Sequence, residues 1–143
     1  MATPTPGTTG SPEPGPLAQR MGIEVHELSA ERATGTMPVA GNTQPAGLLH
    51  GGASVVLAET LGSMAAAVHA GPGRTAVGIE VSATHHRAAR TGHVTGTATA
   101  LHLGQTVASY EVTVEDPAGR RVCTARLTCM VVAAGRSTAP PSS

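Results

Sequence analysis

Residues 51–70 read GGASVVLAETLGSMAAAVHA, a stretch of twenty residues with no proline and only five polar side chains. Its richness in Ala, Leu and Met predicts an α-helix of about 30 Å. A helix that is apolar on nearly every side is either a membrane span or the buried centre of its own protein. Glu59 near its middle, Gly62 after it and the lack of a basic flank favour the buried helix.

The sequence on both sides of this helix is β-like. Two extended segments with alternating polar and apolar residues precede it, at residues 21–28 and 32–39, and four β-like segments follow it, at residues 75–84, 93–103, 106–115 and 121–132. The sequence EDPAG at 115–119 is a turn that joins the last two segments as a hairpin. We therefore predict an α+β protein in which a long antiparallel β-sheet wraps around one central α-helix.

The composition limits the number of domains and the class of partner. A chain of 143 residues fits one domain. Its Pro-, Gly-, Ser- and Thr-rich ends predict disordered tails at 1–16 and 135–143, which leaves a folded unit at 17–134. A formal net charge of zero and a single aromatic residue, Tyr110, argue against nucleic-acid binding. Because a short chain with small core residues buries little area, we expect an oligomer.

Cysteine usage and the first residues indicate the compartment. Cys123 and Cys129 lie close together on one late segment, which is not the pattern of an extracellular disulfide framework. No basic region followed by an apolar stretch opens the chain, so no secretory signal is visible. We expect a cytoplasmic protein that binds neither nucleic acid nor a membrane.

Glu59 is the residue that points most directly to chemistry. A carboxylate in an apolar helix is costly when it is ionised without a partner. It is therefore either paired with an Arg or a His, or it is a functional base or nucleophile whose pKa the apolar setting adjusts. Ser63 lies one turn later on the same helix face, where it could assist the carboxylate or an attacking water.

The segment before the predicted helix could bind an oxyanion. His50, Gly51 and Gly52 stand at the helix start, where free backbone N–H groups and the helix dipole favour negative charge. Glycine there allows a ligand to approach the backbone closely. Gln44 could donate to the same oxygen. The alternative is an ordinary glycine-rich loop before a helix.

A basic turn follows the first extended segment after the helix, where residues 84–90 read THHRAAR. Arg87 and Arg90 could hold phosphate groups or could form a solvated edge. His85 and His86 are adjacent, so on a strand they face opposite sides. Because no Cys or carboxylate lies at metal-site spacing nearby, we expect neither a metal nor an organic cofactor.

The stretch GLLHGGASVVLAETLGS at 47–63 resembles the signature of the hotdog-fold acyl-CoA thioesterases. The resemblance falls in the PaaI-like branch, which holds phenylacetate-pathway and 4-hydroxybenzoyl-CoA thioesterases. It is strongest to the 1,4-dihydroxy-2-naphthoyl-CoA thioesterases and the enterobactin-pathway proofreading thioesterases. It continues through TMPV at 36–39, VGIEVSATHHRAARTG at 77–92, LHLG at 101–104 and RLT at 126–128, and so extends over most of the predicted folded unit.

This resemblance implies a hotdog fold that dimerises to a continuous sheet, often as a dimer of dimers (a tetramer). It implies hydrolysis of an acyl-CoA, with an aromatic acyl group, to the free acid and coenzyme A, which is part of the substrate. Glu59 matches the catalytic base or nucleophile, and Gly51 matches the residue whose N–H polarises the thioester carbonyl. The other matched residues are Gln44, His50 and Ser63 on the catalytic side, and His85 and Arg87 on the substrate-binding side. We also expect Gly52, Arg90 and Thr106 to bind the substrate.

Two other functions stay open at this point. One is a proofreading hydrolase that acts on misloaded acyl- or aryl-carrier proteins. The other is a non-catalytic regulator that binds acyl-CoA on the same fold. Retention of the carboxylate at Glu59 favours an enzyme over the regulator.

Helix geometry separates the two halves of the predicted site. Gly51 and Glu59 lie about 12 Å apart along one helix, whereas a thioester carbonyl needs its oxyanion donor and its attacking group within about 3 Å. One straight helix cannot supply both. We therefore predict that each active site combines Gly51 and Gln44 of one chain with Glu59 and Ser63 of a second chain related by a two-fold axis.

Overall fold

The computed structural model describes residues 13–135. Most of the two predicted tails, 1–12 and 136–143, therefore lies outside the described residues. The elements are, in chain order, α1 (Pro16–Arg20), β1 (Glu24–Leu28), β2 (Arg32–Pro38), α2 (Gly51–Ala70), β3 (Arg74–His85), β4 (His93–Leu103), β5 (Val107–Glu115) and β6 (Arg121–Ala133).

The six strands form one antiparallel sheet in the order β1-β2-β4-β5-β6-β3, and α2 packs across it. The predicted α+β architecture, a long antiparallel sheet around a single central helix, is confirmed. The strand β3 follows α2 directly in the chain, yet it pairs with β6 at the edge of the sheet. This crossover places the end of β3 near the start of α2.

The core lies between one face of α2 and the face of the sheet that packs against it. Leu57, Leu61 and Ala65 of α2 are fully buried there. Gly62 allows the close approach of the helix, because a methyl group at this position would lie 2.5 Å from Cδ2 of Leu127 on β6. The small side chains of α2 therefore let helix and sheet pack tightly.

Among the described residues, the face of α2 opposite the sheet is covered only in part, by α1. On this face Gly52 and Glu59 are exposed and Ser63 is partly exposed, and only 50% of the most apolar 18-residue stretch of the helix is buried. The expectation of a buried Glu59 is therefore wrong for the single chain. A sheet covers only one side of a helix, and Glu59 lies beyond that side, next to the edge strand β3. Length and hydropathy alone would allow α2 to cross a membrane, but its packing on the sheet is that of a core helix.

The short helix α1 was not predicted from the sequence. Proline at its first position and the buried Ala18 stabilise it. The left-handed Gly22 (φ 76°) then turns the chain into β1. For this reason β1 begins at Glu24, three residues later than the extended segment that the alternating pattern predicts.

Candidate active site

The first turn of α2 presents one free backbone donor. Nδ1 of His50 accepts the N–H of Gly52 at 2.8 Å, and the His50 carbonyl accepts the N–H of Ala53 at 2.9 Å. The N–H of Gly51 has no hydrogen-bond partner within residues 13–135. Since it stands at the positive end of a twenty-residue helix, this N–H can stabilise a developing oxyanion. The N–H of Gly52, in contrast, is used by the helix cap.

Gln44 is held so that its amide donor stays available. Its side-chain oxygen accepts the N–H of Ala46 at 2.6 Å, and its backbone N–H donates to the carbonyl of Leu48 at 2.8 Å. With the oxygen engaged, the NH₂ group is the part of the side chain left for a ligand. Gln44 can therefore donate to a carbonyl oxygen, as the sequence predicts.

The end of β3 brings a histidine to the same place. A methyl group at Gly51 would lie 2.8 Å from Nε2 of His85, so the imidazole packs directly on the helix start. His86, one residue beyond β3, makes a 2.9 Å hydrogen bond to the hydroxyl of Thr124 and lines the same cleft as His85. The predicted opposite orientation, which applies to two residues within a strand, is therefore not confirmed.

These residues line one cleft of about 420 Å³, which we call the helix-start cleft; it is lined by Gln44, Gly51, His85 and Arg87. An oxyanion donor, an amide and an imidazole thus face one space. His50 stands beside it as the exposed cap of the helix.

Glu59 and Ser63 line a different cleft, also of about 420 Å³, which we call the carboxylate cleft. Val56 and Thr60 of the same helix and Leu17 of α1 line its walls. Behind it, burial raises the pKa of the Cys129 thiol; a hydrogen bond from Ser63 acts in the opposite sense, and the charge of Glu59 adds to the rise.

Within one chain, the structure therefore brings the predicted residues together in two separate groups. The helix-start cleft contains no residue of the carboxylate cleft, and the reverse also holds. The separation that helix geometry predicts for Gly51 and Glu59 is present in the fold.

A cationic cleft adjoins the helix-start cleft. Arg87 and Ala88 line both, and the cationic cleft continues to Arg90 and Arg120. Sequence reasoning did not single out Arg120, which stands in the β5–β6 turn. Its guanidinium Nε donates to Asp116 at 2.9 Å. The pKa of Asp116 lies below its usual value, chiefly because the backbone N–H of Arg120 donates to its carboxylate, and the guanidinium charge adds to this effect.

Thr106 lies far from these residues in the single chain. It is exposed in the turn between β4 and β5, where His69 at the end of α2 contacts the Gly104 carbonyl at 2.7 Å. This is the opposite end of α2 from Gly51. In the part of the chain that the structure describes, no group of three or more His, Cys, Asp or Glu side chains could hold a metal ion.

Comparison with known proteins identifies the class of protein. The profile of the thioesterase superfamily matches residues 46–123. The proofreading thioesterase EntH of Cronobacter turicensis is 48% identical over 119 residues, which cover 82% of this chain and 87% of that protein.

Solved structures agree with this match. A thioesterase from Haemophilus influenzae has a TM-score of 0.80 and 35% identity, covering 85% of this chain and 86% of that one. A mutant thioesterase from Pseudomonas aeruginosa has a TM-score of 0.79 and 42% identity, covering 82% and 86%. The chain belongs to the thioesterase superfamily, and the predicted hotdog fold and thioester hydrolase activity are thereby confirmed.

Proposed function

We propose that this thioesterase hydrolyses an aromatic acyl-CoA to the free acid and coenzyme A, at active sites that two copies of the chain share. The observation that carries the proposal is the division of the site. The oxyanion donor Gly51 and the amide of Gln44 line one cleft, while Glu59 and Ser63 line another. Two chains related by a two-fold axis would join each helix-start cleft to the partner's carboxylate cleft.

The chemistry needs few groups because a thioester is already activated. The Gly51 N–H and the Gln44 amide polarise the carbonyl, with His50 and Gly52 at the same helix end and His85 beside it. Glu59 either attacks the carbonyl carbon or removes a proton from an attacking water, and Ser63 assists it. In both routes the C–S bond breaks, the thiolate of coenzyme A leaves and takes up a proton, and water supplies the hydroxyl of the acid. Neither route uses a metal or an organic cofactor.

Exposed apolar surface supports the shared site. Val77 and Ile79 on the edge strand β3 are 46% and 54% exposed, and the edge of β3 away from β6 has no partner strand among the described residues. Pairing of β3 with its copy would continue the sheet and cover unpaired backbone groups. We propose this dimer as the smallest active unit, a dimer of dimers as the assembled form, and the cytoplasm as its location.

The nucleotide end of the substrate is assigned to the cationic cleft. Three arginines, Arg87, Arg90 and Arg120, and one carboxylate, that of Asp116, line this cleft, and only Arg120 forms a salt bridge with Asp116. Guanidinium groups bind phosphate oxygens with paired hydrogen bonds. Because Arg87 belongs to both clefts, a ligand can extend from the helix start to the arginines. Within one chain Thr106 is remote from the helix-start cleft and the cationic cleft. We therefore assign it to substrate binding in a site that is formed with another copy of the chain.

A second candidate is hydrolysis of misloaded carrier proteins. A relative that is 48% identical is named a proofreading thioesterase, and a carrier presents the same thioester on a phosphopantetheine arm. Binding without turnover, as in a regulator, does not fit a thioester hydrolase.

One hydrolysis screen tests both candidates by following the release of free thiol. We expect the highest kcat/KM for aromatic acyl-CoA, above aliphatic acyl-CoA and above the same aromatic group on a carrier protein. A carrier substrate that exceeds its CoA counterpart would replace the first candidate with the second. Release of thiol from aliphatic substrates alone would overturn the aromatic assignment.

A further inference from the structure

The Glu59 carboxylate lies beside Gly78 of β3, next to the space that a side chain at residue 78 would fill. A methyl group at residue 78 would lie 3.1 Å from Oε1 of Glu59, closer than nearly all contacts of this kind. The next neighbour, Cδ1 of Leu127, would be at 3.5 Å, which is an ordinary van der Waals distance. The carboxylate is therefore the group that an added side chain would displace.

Backbone conformation does not explain this glycine. The residue is absent from the glycines with positive φ, so any L-amino acid could adopt its backbone geometry. A glycine within a strand also weakens that strand and often marks a close approach of another group. The approaching group here is the side chain of Glu59.

A β-bulge adjoins Gly78. Gly78 pairs with Cys129 and Glu80 pairs with Thr128, so Ile79 is an extra residue on β3. Bulges bend a strand and are common next to active sites. Burial raises the pKa of the Cys129 thiol, a hydrogen bond from Ser63 opposes this rise, and the charge of Glu59 adds to it. The cross-strand pair of Gly78 and Cys129 thus lies next to the carboxylate cleft.

We infer that Gly78 is a positioning residue for the reaction: its missing side chain, next to the bulge, holds the Glu59 carboxylate in its reactive place against β3. This inference rests on the proposed function, in which Glu59 is the base or nucleophile. Displacement of a reacting group by about 1 Å can cost about 100-fold in rate. A displacement of a few tenths of an ångström is therefore expected to cost about 10-fold in kcat.

Gly78→Ala tests the inference directly. We expect kcat to fall about 10-fold, while KM and the mass in solution stay those of the wild type and the melting temperature does not fall, since only the end of a flexible side chain must move. Gly135→Ala is the matched control, because a methyl group there meets nothing within 4 Å; its kcat should not change. A Gly78→Ala protein that unfolds, changes assembly or keeps full kcat overturns the inference.

Combining Gly78→Ala with a change at Glu59 separates a positioning role of Gly78 from a general structural effect. Glu59→Asp shortens the side chain by one methylene, so a methyl group at residue 78 no longer meets the carboxylate. In that background Gly78→Ala should have little further effect on kcat, whereas a structural role would cost the same factor in both backgrounds. If Glu59→Asp has no measurable turnover, the kcat and KM of the single Gly78→Ala variant decide, and a change in KM alone overturns the inference.

The failure of the inference and the failure of the proposed function have different signatures. If Glu59→Gln loses activity and Gly78→Ala does not, only the positioning role fails. If Glu59→Gln retains wild-type kcat, the proposed function fails, and the role of Gly78 fails with it.

Discussion

The imidazole of His85 packs on the backbone of Gly51, so closely that a methyl group at residue 51 would lie 2.8 Å from Nε2. The two residues come from different elements, the last position of β3 and the first position of α2. Their contact puts a polar ring beside the one free N–H of the helix start. The position of His85 therefore depends on residue 51 having no side chain.

Gly51→Ala should lower kcat by about 10-fold or more, because the methyl group displaces His85 and narrows the approach to the Gly51 N–H. Stability should be unchanged or slightly higher, since alanine favours a helix over glycine by up to about 1 kcal/mol. Steady-state kinetics and thermal melting measure the two effects. Gly135→Ala is the control, because a methyl group there meets nothing within 4 Å; equal losses in both variants would contradict a specific role for this contact.

Glu59→Gln should lower kcat by at least about 100-fold, because the amide can act neither as a base nor as a nucleophile. The melting temperature should change little, since the side chain is exposed in the single chain. Glu80→Gln is the matched control, an exposed carboxylate on the adjacent strand, and should keep wild-type kcat. A Glu59→Gln enzyme with wild-type kcat would refute the mechanism.

Mixed dimers should recover activity from two inactive variants. Gln44→Ala and Glu59→Ala are each prepared, shown to be inactive, unfolded, mixed and reassociated. In a mixed dimer one active site carries both substitutions and the other carries neither. Random pairing makes half of the dimers mixed, so about a quarter of wild-type activity should return. If confirmed mixed dimers stay inactive, while wild-type protein survives the same treatment, the site is not shared.

Arg87→Ala should raise KM for an acyl-CoA more than KM for the same acyl group on truncated pantetheine, which lacks the nucleotide phosphates. Arg126→Ala removes an exposed arginine from the middle of β6 and is the control for loss of charge alone. Equal changes in KM for both substrates would mean that Arg87 does not bind the nucleotide end.

Asp116→Asn should destabilise the β5–β6 turn in a pH-dependent way. The pKa of Asp116 is lowered in the folded chain, chiefly by the backbone N–H of Arg120. The stability that its ionised form contributes is therefore present above the unfolded pKa and is lost as the pH falls through the folded pKa. The melting temperature of the wild type should exceed that of Asp116→Asn at neutral pH, and the difference should close in acid. A difference that is independent of pH would exclude the carboxylate charge as its cause.

The sequence by itself determined the secondary-structure elements and the fold class. The α2 stretch has helix-forming residues throughout and glycines at its start, and the structure places the helix at the predicted bounds, Gly51–Ala70. The alternating segments became strands, with ends that differ by a few residues. Local composition and periodicity carry this information because side-chain sterics and burial act over a few neighbouring residues. The sequence did not predict the helix α1, because its five residues are too few to show a periodic pattern.

Only the tertiary structure decided which predicted residues meet. The pairing of β3 with β6 is a long-range choice made by the whole sheet, and it brings His85 to Gly51, Arg120 to Arg87, and Gly78 to Glu59. No local pattern encodes such contacts, because each depends on the order and register of strands that are distant in the sequence. The exposure of Glu59 has the same origin: the sequence shows an apolar helix, but one sheet can cover only one of its faces.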